Sequence, residues 1–201
     1  MSAASAARRH DPEASRTAIL DAAEAVFVDK GFAGASMSEI AERSGVTKSL
    51  IHHHFGSKEA LWAEVKRRSF ASYHAKQMEL YAAGELTRET LRASMEAYFR
   101  FLCDNPQVVR LMTWMKLEHD LDCADMVVEL RRLGIVTIEH AQQLKILRSD
   151  VPAEHVLMAF LSLVAAYFNE GDFVTDGQPQ RIGQDAYLAS AWKIFSEGLL
   201  V

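Results

Sequence analysis

One short run of the chain presents Lys48, Ser49, Leu50, His52 and His53, which bring together an ammonium, a hydroxyl, a branched apolar side chain and two imidazoles. Hydroxyl and imidazole groups give mixed hydrogen bonding to base edges. An apolar branch suits a thymine methyl, and an ammonium beside a helix start holds phosphate. With about 100° per residue and Ile51 pointing inward, Phe55 lies about 40° and His54 about 60° from it, so these three share the buried side. Ser49 and His53 fall about 160° and 200° away, and Leu50 and His52 flank them at about 100° on either side. Those four side chains are expected to face a duplex groove. The competing chemistry of a histidine triplet is metal binding, but three consecutive helical residues spread over about 200° and cannot converge on one ion. No metal site is expected from His52, His53 and His54, and His54 is expected to pack.

The elements that hold this face are two short helices and a tight turn, the pattern of a helix-turn-helix whose second helix enters the major groove. Ser36 opens the first helix, with Glu39 three residues on as the reciprocal partner of an S-x-x-E capping box. Ile40 and Ala41 give its inward side. Gly45 sits where a positive φ is needed, and Thr47 can cap the second helix. Ser57 opens the next helix, and Lys58 in its first turn can reach a second phosphate.

At this point the chain resembles the tetracycline-repressor (TetR) family of bacterial transcription regulators. The residues that carry the resemblance are Arg16, Ile19, Leu20, Ala22, Ala23, Phe27, Gly31, Phe32, Ser36, Ile40, Ala41, Gly45, Val46, Phe55, Lys58, Glu59 and Leu61, spread over roughly residues 15 to 62. The resemblance implies base contacts from Ser49, Leu50 and His53, and phosphate contacts from Ser36, Thr47, Lys48, His52 and Lys58. Two positions depart from the family pattern. His52 stands where Tyr is usual, and because imidazole donates more strongly when protonated, pH-sensitive binding is expected. Leu50 stands where a small polar residue is common.

Composition frames this head. The 201 residues are 49% hydrophobic with ten Gly and four Pro, and long helical periodicity without sustained alternation predicts an all-α chain. The net charge of −5 is uneven. Residues 1 to 80 hold 11 Lys and Arg against 10 acidic residues, whereas residues 81 to 201 hold 11 against 17. DNA affinity is therefore expected from placed contacts and dimer avidity rather than from bulk charge. Cys103 and Cys123 form no framework, which fits a reducing compartment. With no membrane-spanning run and no signal core, a cytoplasmic protein without membrane contact is expected. The phosphate-loop, dinucleotide, nucleophile-elbow, zinc-protease and di-iron motifs are missing, so neither an enzyme nor a cofactor is expected.

Nine helices are predicted. Residues 1 to 10, with Arg8 and Arg9, read as a disordered arm, residues 11 to 56 as the helix-turn-helix head, and residues 57 to 201 as a connecting helix followed by a helical ligand-binding and dimerisation domain. After the head, helices are expected over about 87 to 103, 106 to 119, 123 to 147, 152 to 169 and 184 to 199, with a polar loop from Gly171 to Gly183. By resemblance, Met95, Phe99, Met112, Trp114, Met115 and Glu118 lie around a small-molecule effector, although ordinary core packing gives the same pattern. Also by resemblance, Phe160, Leu161, Val164, Phe168, Leu188, Trp192 and Phe195 join a second chain in a four-helix bundle. That would place two recognition helices about 34–36 Å apart on a palindromic double-stranded DNA operator. The expected function is a homodimeric, effector-released repressor. A helical ligand- or partner-binding protein without useful DNA affinity is the competing class.

Overall fold

The structure, a computed structural model, describes residues 11–82, 85–120, 125–174 and 182–199. The arm residues Arg8 and Arg9, together with Cys123 and the loop residues 175 to 181, lie outside them. The described residues form nine helices and no strand: α1 (Pro12–Gly34), α2 (Met37–Ser44), α3 (Lys48–Phe55), α4 (Lys58–Ala82), α5 (Arg88–Asp104), α6 (Pro106–Leu117), α7 (Asp125–Gln143), α8 (Ala153–Val174) and α9 (Gln184–Leu199). Within those ranges they divide into two compact units, one of residues 11–68 and 110–120, the other of the described residues among 69–109 and 125–199. The first unit takes in the first turns of α4 and the end of α6.

In the first unit, Asp11 caps α1 by accepting from the Glu13 and Ala14 amides at 3.0 and 3.3 Å, with Pro12 at the first helical position. The apolar stripe of α1 is buried as Ile19, Ala23, Val26 and Phe27, and it meets Ile40, Ile51, Leu61 and Val65 in one core. The Trp62 ring stands edge-on to Phe27 at 4.8 Å. At Gly31 the chain kinks with φ 72° and ψ −178°, and residues up to Gly34 form a final turn.

Glu118 and Trp114, at the end of α6, meet that kink. The Glu118 carboxylate accepts from the Phe32 and Ala33 amides at 3.0 and 2.9 Å, and the Trp114 indole N–H donates to the Val28 carbonyl at 3.1 Å. The helix stops at Leu117, two residues before the expected end, because His119 takes a positive φ of 51° and the Asp120 amide turns back to the Met115 carbonyl at 2.9 Å.

In the second unit, α5 lies against α8 and α9, with Phe99 at 5.2 Å from Tyr167, 5.6 Å from Phe168 and 6.0 Å from Tyr187. Tyr187 donates to the Leu163 carbonyl at 2.7 Å. Helix α7 ends at Gln143 rather than near residue 147. Lys145 takes a φ of 58°, and the Ile146 and Leu147 amides return to the Ala141 carbonyl, so Leu147 is buried and does not extend the helix. Helix α8 runs through Gly171 to Val174, past the expected end at 169, since one glycine near a helix end costs only about 1 kcal/mol. Among the described residues no helix is long and apolar enough to cross a membrane.

Candidate nucleic-acid interface

The interface is set by local caps. Ser36 Oγ accepts from the Glu39 amide at 3.2 Å and opens α2, yet the reciprocal half of the capping box does not form. The Glu39 carboxylate goes instead to Lys30 at 2.7 Å and Arg43 at 3.2 Å, where it gains two cations rather than one backbone amide. Gly45 adopts φ 69°, ψ 17° and turns the chain, and Thr47 Oγ1 accepts from the Leu50 amide at 3.2 Å to open α3. Both capping hydroxyls use a lone pair in this way, so each O–H proton remains to be donated to a phosphate.

On α3, Ile51 is fully buried, His54, Phe55 and Leu50 are half-buried, and Lys48, Ser49, His52 and His53 are exposed. The exposed side therefore carries a hydroxyl, two imidazoles and an ammonium, with Leu50 at its edge. Lys48 lies 3.4 Å from Ser38 Oγ on α2. Ser49, Leu50, His53 and Thr47, with the first turns of α1, border an open recess of ≈ 810 Å³. The His54 ring packs at 6.1 Å from Phe55, over which the Arg16 guanidinium sits at 4.9 Å.

Two further residues are engaged within the unit. Lys58 donates to the Ala35 carbonyl at 2.7 Å, with its ammonium 4.4 Å from the Phe32 ring centre, and so fixes the α1–α2 junction while two donors remain. His52 Nδ1 lies 2.8 Å from the Gly56 carbonyl. A carbonyl only accepts, so Nδ1 carries the proton and the outward Nε2 of the neutral ring offers a lone pair. This bond has no sequence signal beyond the four-residue spacing to Gly56, whose φ of 77° ends α3. Glu59, fully exposed, has its carboxyl held below the usual range, first by a backbone amide and then by Ser57.

The residues expected around an effector fall into both units: Met95 and Phe99 are buried in the second, whereas Met112, Trp114, Met115 and Glu118 belong to the first. Those expected at a dimer face also differ among themselves. Val164, Trp192 and Phe195 are buried within the chain, Phe160, Phe168 and Leu188 are half-buried, and Leu161 is exposed. Sequence reasoning passed over Met158 on α8 and Ile194 on α9, which are 62% and 63% exposed. Their only signal was an apolar side chain beyond the width of one buried stripe. Cys103 is half-buried, and burial pushes its thiol up. Among the described residues no group of three His, Cys, Asp or Glu side chains could hold a metal ion.

Two family models match this chain. Residues 19–65 match "Bacterial regulatory proteins, tetR family", and residues 91–186 match "Tetracyclin repressor-like, C-terminal domain". The HTH-type transcriptional activator FasR of Mycolicibacterium smegmatis is 37% identical over 97 residues, which cover 48% of this chain and 44% of that protein, less than half its length. The HTH-type transcriptional repressor KstR2 of Rhodococcus jostii is 25% identical over 144 residues, 69% of this chain and 71% of that one. The transcriptional regulator FadR of Bacillus subtilis, solved in complex with stearoyl-CoA, superposes with a TM-score of 0.73 at 14% identity, covering 91% of this chain and 98% of that one, a likeness of fold. With a matching helix-turn-helix head, a matching carboxy-terminal domain and this all-helical fold, the chain belongs to the TetR family of bacterial transcriptional regulators.

Proposed function

We propose that this chain is a homodimeric transcriptional repressor that binds a palindromic operator through two copies of α3 and is released by a small-molecule effector. The observation that carries the reading is the split character of α3, with Ile51 wholly buried and Lys48, Ser49, His52 and His53 exposed on a capped helix. Ser49, Leu50 and His53 are the base readers of this proposal, and Ser36, Thr47, Lys48, His52 and Lys58 hold phosphates. Met158, Leu161 and Ile194, exposed on the paired helices α8 and α9, support a second copy docking there. The named relatives include an activator and a repressor, and repression with release by effector is the reading adopted here. Coupling between effector and operator is expected to be worth about 1–3 kcal/mol.

The test is selection of bound genomic fragments at physiological salt, with a His53→Ala, Lys58→Ala variant in parallel. The wild type is expected to enrich a palindrome. The variant is expected to lose about 10–100-fold in affinity for it, since one base contact carries about 1–3 kcal/mol and a phosphate contact adds to that. If the wild type enriches no site, the DNA reading falls and the helical ligand-binding class takes its place.

His52 adds a pH dependence to this interface. With Nδ1–H committed to Gly56, only the imidazolium can donate from Nε2 to a phosphate. The charged groups nearest in the chain are Lys48 and His53 on α3 and Lys58 and Glu59 in the first turn of α4. Operator affinity is expected to be stronger with the ring protonated, by about 1 kcal/mol per head. The His52→Tyr variant, which donates at every pH, should show a flatter profile in fluorescence anisotropy. Parallel profiles would remove His52 as the source.

A further inference from the structure

Within the second unit, α5 and α9 pack together and leave between them a recess of ≈ 140 Å³, the size of cavity that takes a benzene ring. Its α5 wall is Arg92, Glu96 and Arg100, one turn apart on one face, with Met95 beside them. Its α9 wall is Asp185, Leu188, Ala189 and Trp192, again a single face at spacings of three and four residues. The buried part of this lining is apolar: Met95 is fully buried, Trp192 is 9% exposed and Leu188 is half-buried. The exposed part is mostly charged. Arg100 is already engaged, since it donates to Asp185. Asp185 holds the Arg100 proton above the usual guanidinium range, chiefly through that hydrogen bond, and Glu96 adds to the effect. Arg92 and Glu96 are exposed, and neither enters an ion pair among the described residues. Opposite charges at the same four-residue spacing do pair elsewhere in the chain, Arg43 with Glu39 at 3.2 Å and Lys193 with Glu197 at 3.8 Å.

We propose that the α5–α9 recess binds a small zwitterion with an apolar side chain, an α-amino acid whose carboxylate meets Arg92, whose ammonium meets Glu96 and whose side chain rests on Met95, Leu188 and Trp192. The site goes beyond the repressor reading and does not depend on it. Charge balance carries the choice of class. The lining holds two guanidinium groups and two carboxylates; with Arg100 and Asp185 engaged by each other, one cation and one anion remain a single helical turn apart. A ligand with one sign of charge would satisfy one of these and repel the other, whereas a dipolar ligand meets both. The guanidinium fork takes a carboxylate bidentately, and an ammonium offers three donors to Glu96. Two exposed ion pairs are worth little alone, so a side chain that covers the apolar lining supplies the rest of the affinity. A second copy docked on Ile194 leaves the recess open, because Ile194 lies about 180° round α9 from Asp185.

The experiment is isothermal titration calorimetry of the full chain with three probes that share a phenylethyl group: L-phenylalanine, 3-phenylpropanoate and 2-phenylethylamine. The last two each lack one charge of the first. Phenylalanine is expected to bind about 10-fold or more tightly than either, the worth of one charge-assisted hydrogen bond. Arg92→Gln should bring phenylalanine down to about the affinity of the amine, and Glu96→Gln to about that of the propanoate; both residues are exposed, so neither change disturbs the core. Ala189→Phe, which fills the recess from an exposed position, should abolish binding of all three. Equal affinity for the three probes, tighter binding of either single-charge probe, or a phenylalanine preference kept by both charge variants would overturn the proposal. Binding that survives Ala189→Phe, or no binding of phenylalanine to the wild type, would do the same. None of these outcomes bears on operator selection, so the repressor reading stands or falls separately.

Discussion

Gly31→Ala is expected to destabilise the first unit by about 3 kcal/mol or more, read as a lowered urea midpoint with an unchanged slope. Two costs add at this position. The backbone at φ 72°, ψ −178° lies in a region that is essentially glycine's alone, worth about 1–3 kcal/mol for any other residue. The space is also taken, because a Cβ there would stand 2.6 Å from Glu118 Oε1 and 2.7 Å from Trp114 Cε3. Neither neighbour is a loose chain end: Glu118 holds two backbone amides and Trp114 holds the Val28 carbonyl, so displacing them breaks hydrogen bonds as well as packing. Gly45→Ala is the control. Its φ of 69° is strained for alanine, but nothing lies within 4 Å of the added carbon, so only about 1–2 kcal/mol is expected. Equal losses at the two glycines would show that the close approach of α6 contributes nothing. Adding Glu118→Ala to Gly31→Ala should recover part of the loss, because the carboxylate is the nearest obstacle.

The contrast between these glycines also marks what can be read from the chain. Gly45, Thr47, Ser36 and Asp11 act over two to four residues, so their caps and turns follow from local spacing alone. The division of α3 into buried Ile51 and exposed Ser49, His52 and His53 follows from one period. Glu39 was misdirected because two cations outcompete one amide, and the one from outside the helix, Lys30, reaches it from α1. Glu118 and Trp114 were grouped with the effector residues by resemblance, and their polar atoms meet partners 85 and 86 residues away on α1. No local pattern carries a contact of that separation. The unpartnered hydroxyl of Ser69 was equally hidden, since helical spacing shows which face a residue shares but not whether that face finds partners.

Asp120→Ala is expected to cost about 3–5 kcal/mol, more than removal of the lysine it faces. Lys66 is 1% exposed, and its ammonium meets Asp120 Oδ2 at 2.7 Å, where the Trp62 indole N–H also donates at 2.5 Å. Deleting the carboxylate removes an ionic partner from a desolvated cation and the acceptor from an indole. In Lys66→Met the apolar stem is kept, the cation is gone and Asp120 retains the indole bond, so a loss of about 1–2 kcal/mol is expected. Asp120→Asn should fall between the two, because an amide oxygen still accepts one hydrogen bond but carries no charge. The double variant Lys66→Met, Asp120→Ala should be more stable than Asp120→Ala alone, since methionine needs no partner. Urea unfolding of the four proteins at two salt concentrations decides the matter, as a buried pair is screened far less than a surface one. If Lys66→Met proves as costly as Asp120→Ala, packing of the lysine stem rather than its charge holds α4 to the end of α6. If the ordering holds, the two carboxylates Glu118 and Asp120 fasten the end of α6 to the head by polar bonds that a small displacement would break.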